Sequence, residues 1–75
     1  MADNFNLPIE FNGQEYEYPT QILRYGYTHK IQVDVNNKIV TFEPDEEGNY
    51  RALTDQDISP ALLKEISDTL KVLLS

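Results

Sequence analysis

The side chains in this sequence that could do chemistry are mainly carboxylates. The 75 residues include 13 acidic side chains and a single histidine, His29, but no cysteine. A thiolate or histidine-rich metal site and a cysteine nucleophile are therefore excluded. The serines, Ser59, Ser67 and Ser75, lie outside any nucleophile-elbow pattern. We expect no catalytic residue and no cofactor, and interpret His29 as a turn or strand-edge residue, with a pH-sensitive or catalytic role as the alternative.

Two groups of acids suggest further alternatives. The acids at positions 43–47 suggest calcium, but consecutive side chains point in different directions, and Gln56 stands where a calcium loop needs its final glutamate. Glu10, Glu15 and Glu17 could supply the acid and base of a glycosidase, which needs a cleft and one buried carboxyl group. We interpret both groups as solvated charges. A small enzyme or metal-dependent protein using the acidic turn remains an alternative.

Tyrosine is the unusual component, contributing five of the eight aromatic residues. Its ring is apolar and its hydroxyl polar, and it is enriched at binding surfaces. Ile22 and Ile39 fall out of phase with the expected buried face, so we expect both on the outer side of the sheet. Tyr16 and Tyr18 could instead line the wet edge of the core. The predicted interaction surface comprises Tyr16, Tyr18, Tyr25, Tyr27, Ile22, Arg24 and Ile39.

The charge balance narrows the choice of partners. A net charge of −7 repels phosphate backbones and anionic membranes, so we expect neither nucleic acid nor membrane as a partner. No segment approaches the ~20 apolar residues that span a bilayer, and the first residues lack the pattern of a signal peptide. These features predict a cytoplasmic protein. Our leading hypothesis is a non-enzymatic protein-interaction or accessory domain, with an unidentified protein or a second copy as its partner. An acidic mimic that binds a basic protein is a further alternative.

The first half of the chain has the pattern of β-hairpins. Apolar residues alternate over 5–11, which predicts a strand, and Pro8 places that strand at a sheet edge because proline cannot donate to a ladder. Asn12-Gly13 is typical of a two-residue turn. That turn would place Leu7 opposite Tyr18, on the apolar face of the hairpin.

The middle of the chain is harder to divide. We expect Pro19 to end or bend the second strand, and we expect odd-numbered residues to face inward after it. Strands are predicted at about 21–26 and 28–35, with Gly26 at a bulge or turn. Asn36-Asn37 predicts a second tight hairpin. A short strand then ends near residue 53.

A helix closes the sequence. Ser59-Pro60 supplies a cap and a favourable first residue, and a leucine stripe follows at helical spacing. We expect the sheet to cover that stripe. The sequence therefore predicts an α+β fold, an antiparallel β-meander of four to five strands packed against one C-terminal amphipathic helix. The predicted organisation is one domain over 1–75, with 1–4 frayed, the sheet over 5–53 and the helix over 59–75.

The segment 42–52, Phe-Glu-Pro-Asp-Glu-Glu-Gly-Asn-Tyr-Arg-Ala, followed by a leucine-rich terminal helix, gives the chain a likeness to a known group. It resembles small single-domain bacterial proteins of unassigned function that have a strand-rich body and one closing helix. The resemblance implies a bacterial, cytoplasmic setting and a similar fold. It implies no activity, cofactor or functional residue.

Overall fold

Five antiparallel strands are followed by one helix in the computed structural model, which describes residues 3–53 and 57–74. Each strand pairs with the next along the chain, so the sheet is a meander in the order β1-β2-β3-β4-β5. The α+β meander predicted from the sequence is confirmed. The sheet begins at residue 3, two residues earlier than predicted. The elements are β1 (Asp3–Phe11), β2 (Gln14–Tyr25), β3 (Thr28–Val35), β4 (Lys38–Pro44), β5 (Tyr50–Leu53) and α1 (Pro60–Leu74).

Tight turns set the register of the first three hairpins. Asn12 and Gly13 both have positive φ, as do Asn36 and Asn37, which is the conformation that a type I′ turn requires. Both predicted hairpins are confirmed. Gly26, with φ of 60°, begins the turn between β2 and β3, so this part of the chain is a turn and not a continuous strand.

The first turn determines where prolines are tolerated. Phe11 and Gln14 flank a two-residue turn and therefore form a hydrogen-bonded pair. Since hydrogen-bonded and non-hydrogen-bonded pairs alternate, Pro8 opposite Glu17 and Pro19 opposite its own partner in β1 both fall in non-hydrogen-bonded pairs. A backbone N–H at such a position would point away from the partner strand. Neither proline therefore removes a bond from the β1–β2 ladder.

Pro19 acts on the other side of β2. The ladder between β2 and β3 runs from Tyr25 opposite Thr28 to Thr20 opposite Val33. By the same alternation, its next hydrogen bond would need the N–H of Pro19, which proline lacks. The proline thus ends the pairing with β3, while β2 itself continues through it, paired with β1 alone.

The continuity of β2 corrects the prediction for Ile22. We expected Pro19 to shift the alternation and leave Ile22 on the outer side of the sheet. The even-numbered alternation instead runs on through Tyr18 and Thr20, so Ile22 is 6% exposed and lies opposite Ile31 in the core. Side chains on a strand change face only where a bulge or break intervenes, and the β1–β2 register runs past this proline without one.

The helix covers the inner face of the sheet. It contacts both β1 and β5, so the two outer strands curve toward it from opposite sides. Ile66 and Leu70 are fully buried, and the Ser67 hydroxyl donates to the backbone carbonyl of Tyr50 on the edge strand. The sheet does not cover the whole leucine stripe: Leu73 is half exposed at the end of the helix.

The core consists of the inward side chains of the sheet and the two buried helix residues. The buried apolar residues are Leu7, Ile9, Tyr18, Ile22, Ile31, Val33, Val35, Val40, Phe42, Tyr50, Ile66 and Leu70.

No helix among residues 3–53 and 57–74 is long and apolar enough to span a membrane.

Replacing Ile66 by alanine should lower the free energy of unfolding by about 2–5 kcal/mol, because the truncation leaves a cavity between helix and sheet. Urea unfolding followed by circular dichroism measures the loss. Val72→Ala is the matched control on the same helix, since Val72 is 76% exposed, and it should change stability by no more than about 0.5 kcal/mol. Equal losses in both variants would mean that the helix packs through another face.

Candidate functional site

The seven residues predicted as one interaction surface lie on different sides of the sheet. Tyr18 and Ile22 are buried, and Tyr16 is half-buried beside them on the inner face. Tyr25 and Ile39 are exposed on the outer face. Arg24 is exposed near the end of β2, and Tyr27 is fully exposed at the tip of the β2–β3 turn. The structure therefore does not bring the seven together on a single surface.

Tyr16 and Tyr18 stack on each other at the rim of the core. Their ring centroids are 5.7 Å apart and their planes differ by 9°. The Tyr16 hydroxyl donates to Oε1 of Gln14 at 2.7 Å. Burial raises the pKa of Tyr18 above its ordinary value, and the neighbouring Tyr16 hydroxyl adds to the increase. The pair lines the edge of the core, which is the alternative that the sequence left open.

His29 contacts a phenol. Its Nε2 lies 3.0 Å from the hydroxyl of Tyr50, and the two rings are tilted by 59°. Burial raises the pKa of Tyr50, so this hydroxyl keeps its proton at neutral pH. A carboxylate partner would orient the imidazole as a general base, whereas a neutral phenol provides a structural hydrogen bond. His29 is the second residue of β3, so it lies at the end of the central strand, half-buried against Tyr50.

The acidic turn is organised around Asp45. Its Oδ1 accepts hydrogen bonds from the backbone N–H groups of Glu47 and Asn49, each at 2.9 Å. The backbone N–H of Asp45 donates in turn to the carbonyl of Asn49 at 2.8 Å. Within the described part of the chain, no group of three or more histidine or acidic side chains is placed to hold a metal ion. The role that these contacts give Asp45 is to close the turn.

Most acids of the sheet fall into two separate groups, and Asp34 on β3 belongs to neither. Glu10, Glu15 and Glu17 lie near the β1–β2 turn, where Glu10 pairs with Glu15. The acids at 43–47 lie at the β4–β5 turn, and a meander places that turn at the opposite end of the sheet. Over residues 3–53, these two groups do not join into one continuous negative face.

An uncharged row crosses the outer face between the two acidic groups. Each member lies opposite the next in the strand register, and one amide side chain comes from each of the first three strands. Asparagine and glutamine side chains offer both donors and acceptors without carrying a charge. The members of this uncharged row are Asn4, Gln21, Gln32, Thr41 and Leu53.

Three members of this row, Asn4, Gln21 and Gln32, also line a shallow groove on the outer face. Ile39 on one side is 52% exposed, and Pro19 presents its ring in the middle. Asp34 is the one charged residue among the described residues that line the groove, and its carboxylate accepts the backbone N–H of Asn37 at 2.8 Å. We call this the outer groove; it is lined by Asn4, Phe5, Asn6, Pro19, Thr20, Gln21, Gln32, Asp34 and Ile39.

No model of a known protein family matches the chain, and no curated protein or solved structure matches it either. The likeness to small bacterial proteins therefore stays a prediction. Any function must be argued from the geometry of this chain.

The amides of the outer groove were not predicted from the sequence. A break at Pro19, with odd-numbered residues facing inward after it, puts Gln21 on the inner face. Had the even-numbered alternation of β2 been continued through the proline, Gln21 would have been placed outward beside Asn4 and opposite Gln32. The signal was present in the period-two pattern.

Alkaline pH should destabilise the fold through Tyr18 and Tyr50. Burial raises both pKa values, so the folded state holds these protons more tightly than the unfolded chain does. The resulting stability is fully present below the ordinary tyrosine value of 10.0 and is lost as the pH rises through the higher folded pKa. Urea unfolding across this pH range should therefore show a decreasing free energy of unfolding.

Tyr18→Phe should weaken that pH dependence, because it keeps the ring and removes the ionisable hydroxyl. Tyr27→Phe is the control, since Tyr27 is fully exposed, and it should leave the dependence unchanged. An identical alkaline decrease in wild type and Tyr18→Phe would contradict the assignment.

Proposed function

We propose that this chain is a non-enzymatic protein-interaction domain that contacts its partner through the outer groove. The observation that carries the proposal is the uncharged row across a solvent-facing sheet, in a chain with 13 acidic residues. The centre of a protein interface is depleted in charged residues and combines apolar contacts with hydrogen-bonding groups. Ile39 and Pro19 provide the apolar contacts, and the amides provide the hydrogen bonds.

The physical basis is the cost of removing water. A buried carboxylate loses much hydration energy, whereas a neutral amide loses less and regains it by bonding to the partner. Gln21 and Gln32 lie opposite each other at the centre of the face, while the two acidic groups lie toward its ends and Asp34 is the one acid lining the described groove. This arrangement resembles an interface with a neutral centre and a charged rim.

The alternatives have less support. An acidic mimic would be favoured by one continuous negative face, whereas these acids form two groups at opposite ends of the sheet. A small enzyme would be favoured by a pocket that joins His29 to carboxylates, whereas His29 contacts Tyr50. The partner is an unidentified protein or a second copy of the chain.

Two further proposals concern organisation and setting. We take residues 1–75 as one domain, supported by a single sheet whose inner face and helix share one core. We take its setting as cytoplasmic, supported by the cysteine-free composition, because small secreted domains are commonly held by disulfides. The bacterial origin rests on the resemblance alone.

Site-specific photocrosslinking in the native host tests the interface. A photoreactive phenylalanine analogue is placed at Asn6, which lines the outer groove, or at Thr41, which lies opposite the groove residue Gln32 in the uncharged row. Both positions should give the same protein adduct. The same analogue at Lys64, on the exposed side of the helix, should not give it. Ile39→Asp should lower the adduct yield about tenfold, since it puts a charge into the contact, at a cost of about 1.4 kcal/mol.

Ile39→Asp should unfold at a somewhat lower temperature than wild type, because the new carboxylate lies directly opposite Asp34. The adduct yields are therefore compared at a temperature where both proteins are folded. An adduct of twice the 8.7 kDa chain mass, formed by the purified protein alone, would identify the partner as a second copy. Adducts at Asn6 and Thr41 that are no more abundant than at Lys64, or that survive Ile39→Asp, would rule out this face.

A further inference from the structure

Within residues 3–53 and 57–74, one backbone edge inside the sheet has no neighbouring strand. The β2–β3 ladder ends at Thr20 and Val33, but β2 continues to Gln14, paired with β1 alone. β3 ends at Val35, two residues past Val33, and the Asn36-Asn37 turn follows, so β3 is too short to follow β2 as far as Gln14. The first part of β2 therefore has one paired side and one open side. We call this stretch the open edge, residues 14–18.

The direction of the free backbone groups follows from the register. Glu15 and Glu17 lie in non-hydrogen-bonded pairs with β1, because Phe11 and Gln14 form the hydrogen-bonded pair that closes the turn. Their N–H and C=O groups therefore point away from β1, toward the open side. The open edge thus presents two donors and two acceptors, spaced by one residue, as a strand does when it accepts another.

The side chains around the open edge have a definite polarity on each face. Glu15 and Glu17 are exposed on the outer face, next to Glu10, and Asp34 lies across the gap from Pro19 on the same face. The inner face of the gap carries the stacked rings of Tyr16 and its neighbour. The outer side is thus strongly acidic and the inner side aromatic.

We propose that the open edge binds an extended basic peptide by strand addition. In a hydrogen-bonded pair the two side chains lie on the same face, so the peptide residues opposite Glu15 and Glu17 would project outward and should be lysine or arginine. The residues between them would project inward against Tyr16 and should be apolar. The ligand is a segment in which basic and apolar residues alternate.

Charge complementarity selects this occupant over a second copy. Two open edges paired with each other would bring Glu15 and Glu17 of both copies together, in molecules that each carry a net charge of −7. A cationic strand would instead be attracted by these carboxylates. This surface adjoins the outer groove and shares Pro19 and Asp34 with it, but Glu15 and Glu17 lie outside the groove. Variants at these two residues therefore test the open edge without altering the groove.

The test titrates the full-length protein with a capped seven-residue peptide that alternates lysine and valine, beginning and ending with lysine. Binding is measured by calorimetry at low salt. By nuclear magnetic resonance, amide hydrogen exchange at Glu15 and Glu17 should slow at least about tenfold on saturation. An alternating glutamate–valine peptide should not bind.

Two modified peptides separate strand pairing from simple charge attraction. Because the end of β3 occupies the positions opposite Pro19 and Tyr18, an antiparallel peptide places its first lysine opposite Glu17 and its second opposite Glu15. N-methylation of these two lysines removes the N–H groups that would face β2, and it should weaken binding at least about tenfold. N-methylation of the valines alters N–H groups that point away from β2, and it should weaken binding less than about threefold. Both peptides keep the same charge.

A pair of protein variants locates the charge effect. Glu15→Gln combined with Glu17→Gln should weaken binding at least about tenfold at low salt. Glu46→Gln combined with Glu47→Gln makes the same change in net charge at the opposite end of the sheet, and it should leave the affinity within about twofold. All four residues have exposed or solvent-facing positions, so both variants should fold.

Several outcomes would overturn the proposal. Equal affinity for the two N-methylated peptides would mean that charge attraction, and not strand pairing, causes the binding. Slowed exchange at Asn4 and Asn6, instead of Glu15 and Glu17, would place the peptide on the outer edge of β1. No binding, or a dimer in which Glu15 and Glu17 are protected without peptide, would exclude a basic strand as the occupant. Photocrosslinks from Thr41 would be unaffected in each case.

Discussion

The register of the first hairpin is the constraint on which the rest of the sheet depends. Two consecutive residues with positive φ at Asn12-Gly13 make Phe11 and Gln14 a hydrogen-bonded pair. Because side chains alternate with period two, this one pairing decides the face of every residue in β1 and β2. It also decides which backbone groups point outward, and therefore where proline is harmless. A shift by one residue would place the core residues of both strands in water.

The sequence predicted the parts of the fold that local chemistry determines. Asn12-Gly13 and Asn36-Asn37 identified two hairpins with their registers, and Ser59-Pro60 marked the start of the helix within one residue. The prediction from sequence failed at Pro19, because this residue has different effects on the two strands that neighbour β2. Pro19 is neutral toward β1 and disruptive toward β3, and a pattern read along a single chain cannot separate these effects. The error moved both Ile22 and Gln21 to the wrong face.

The candidate sites were less predictable than the fold because each is assembled across strands. The uncharged row takes Asn4 from β1, Gln21 from β2 and Gln32 from β3, and no two of these are close in sequence. Composition alone pointed to tyrosine, but aromatic side chains in so small a domain are largely needed for the core. Tyr18 and Tyr50 are buried for that reason. The surface was then left to amides, which are weak signals individually and informative only as a row.

An open strand edge is a hazard for a small sheet, and the way each edge is treated indicates what it can accept. β5 is protected by the helix, since the Ser67 hydroxyl bonds to the carbonyl of Tyr50. β1 carries Pro8 at its outer side, which prevents continuous pairing there. The open edge of β2 has neither kind of protection over 14–18, and its outward side chains include Glu15 and Glu17. Carboxylates repel another copy of the same strand but attract a cationic one. A covered edge would exclude every strand, whereas a charged edge excludes only strands of like charge.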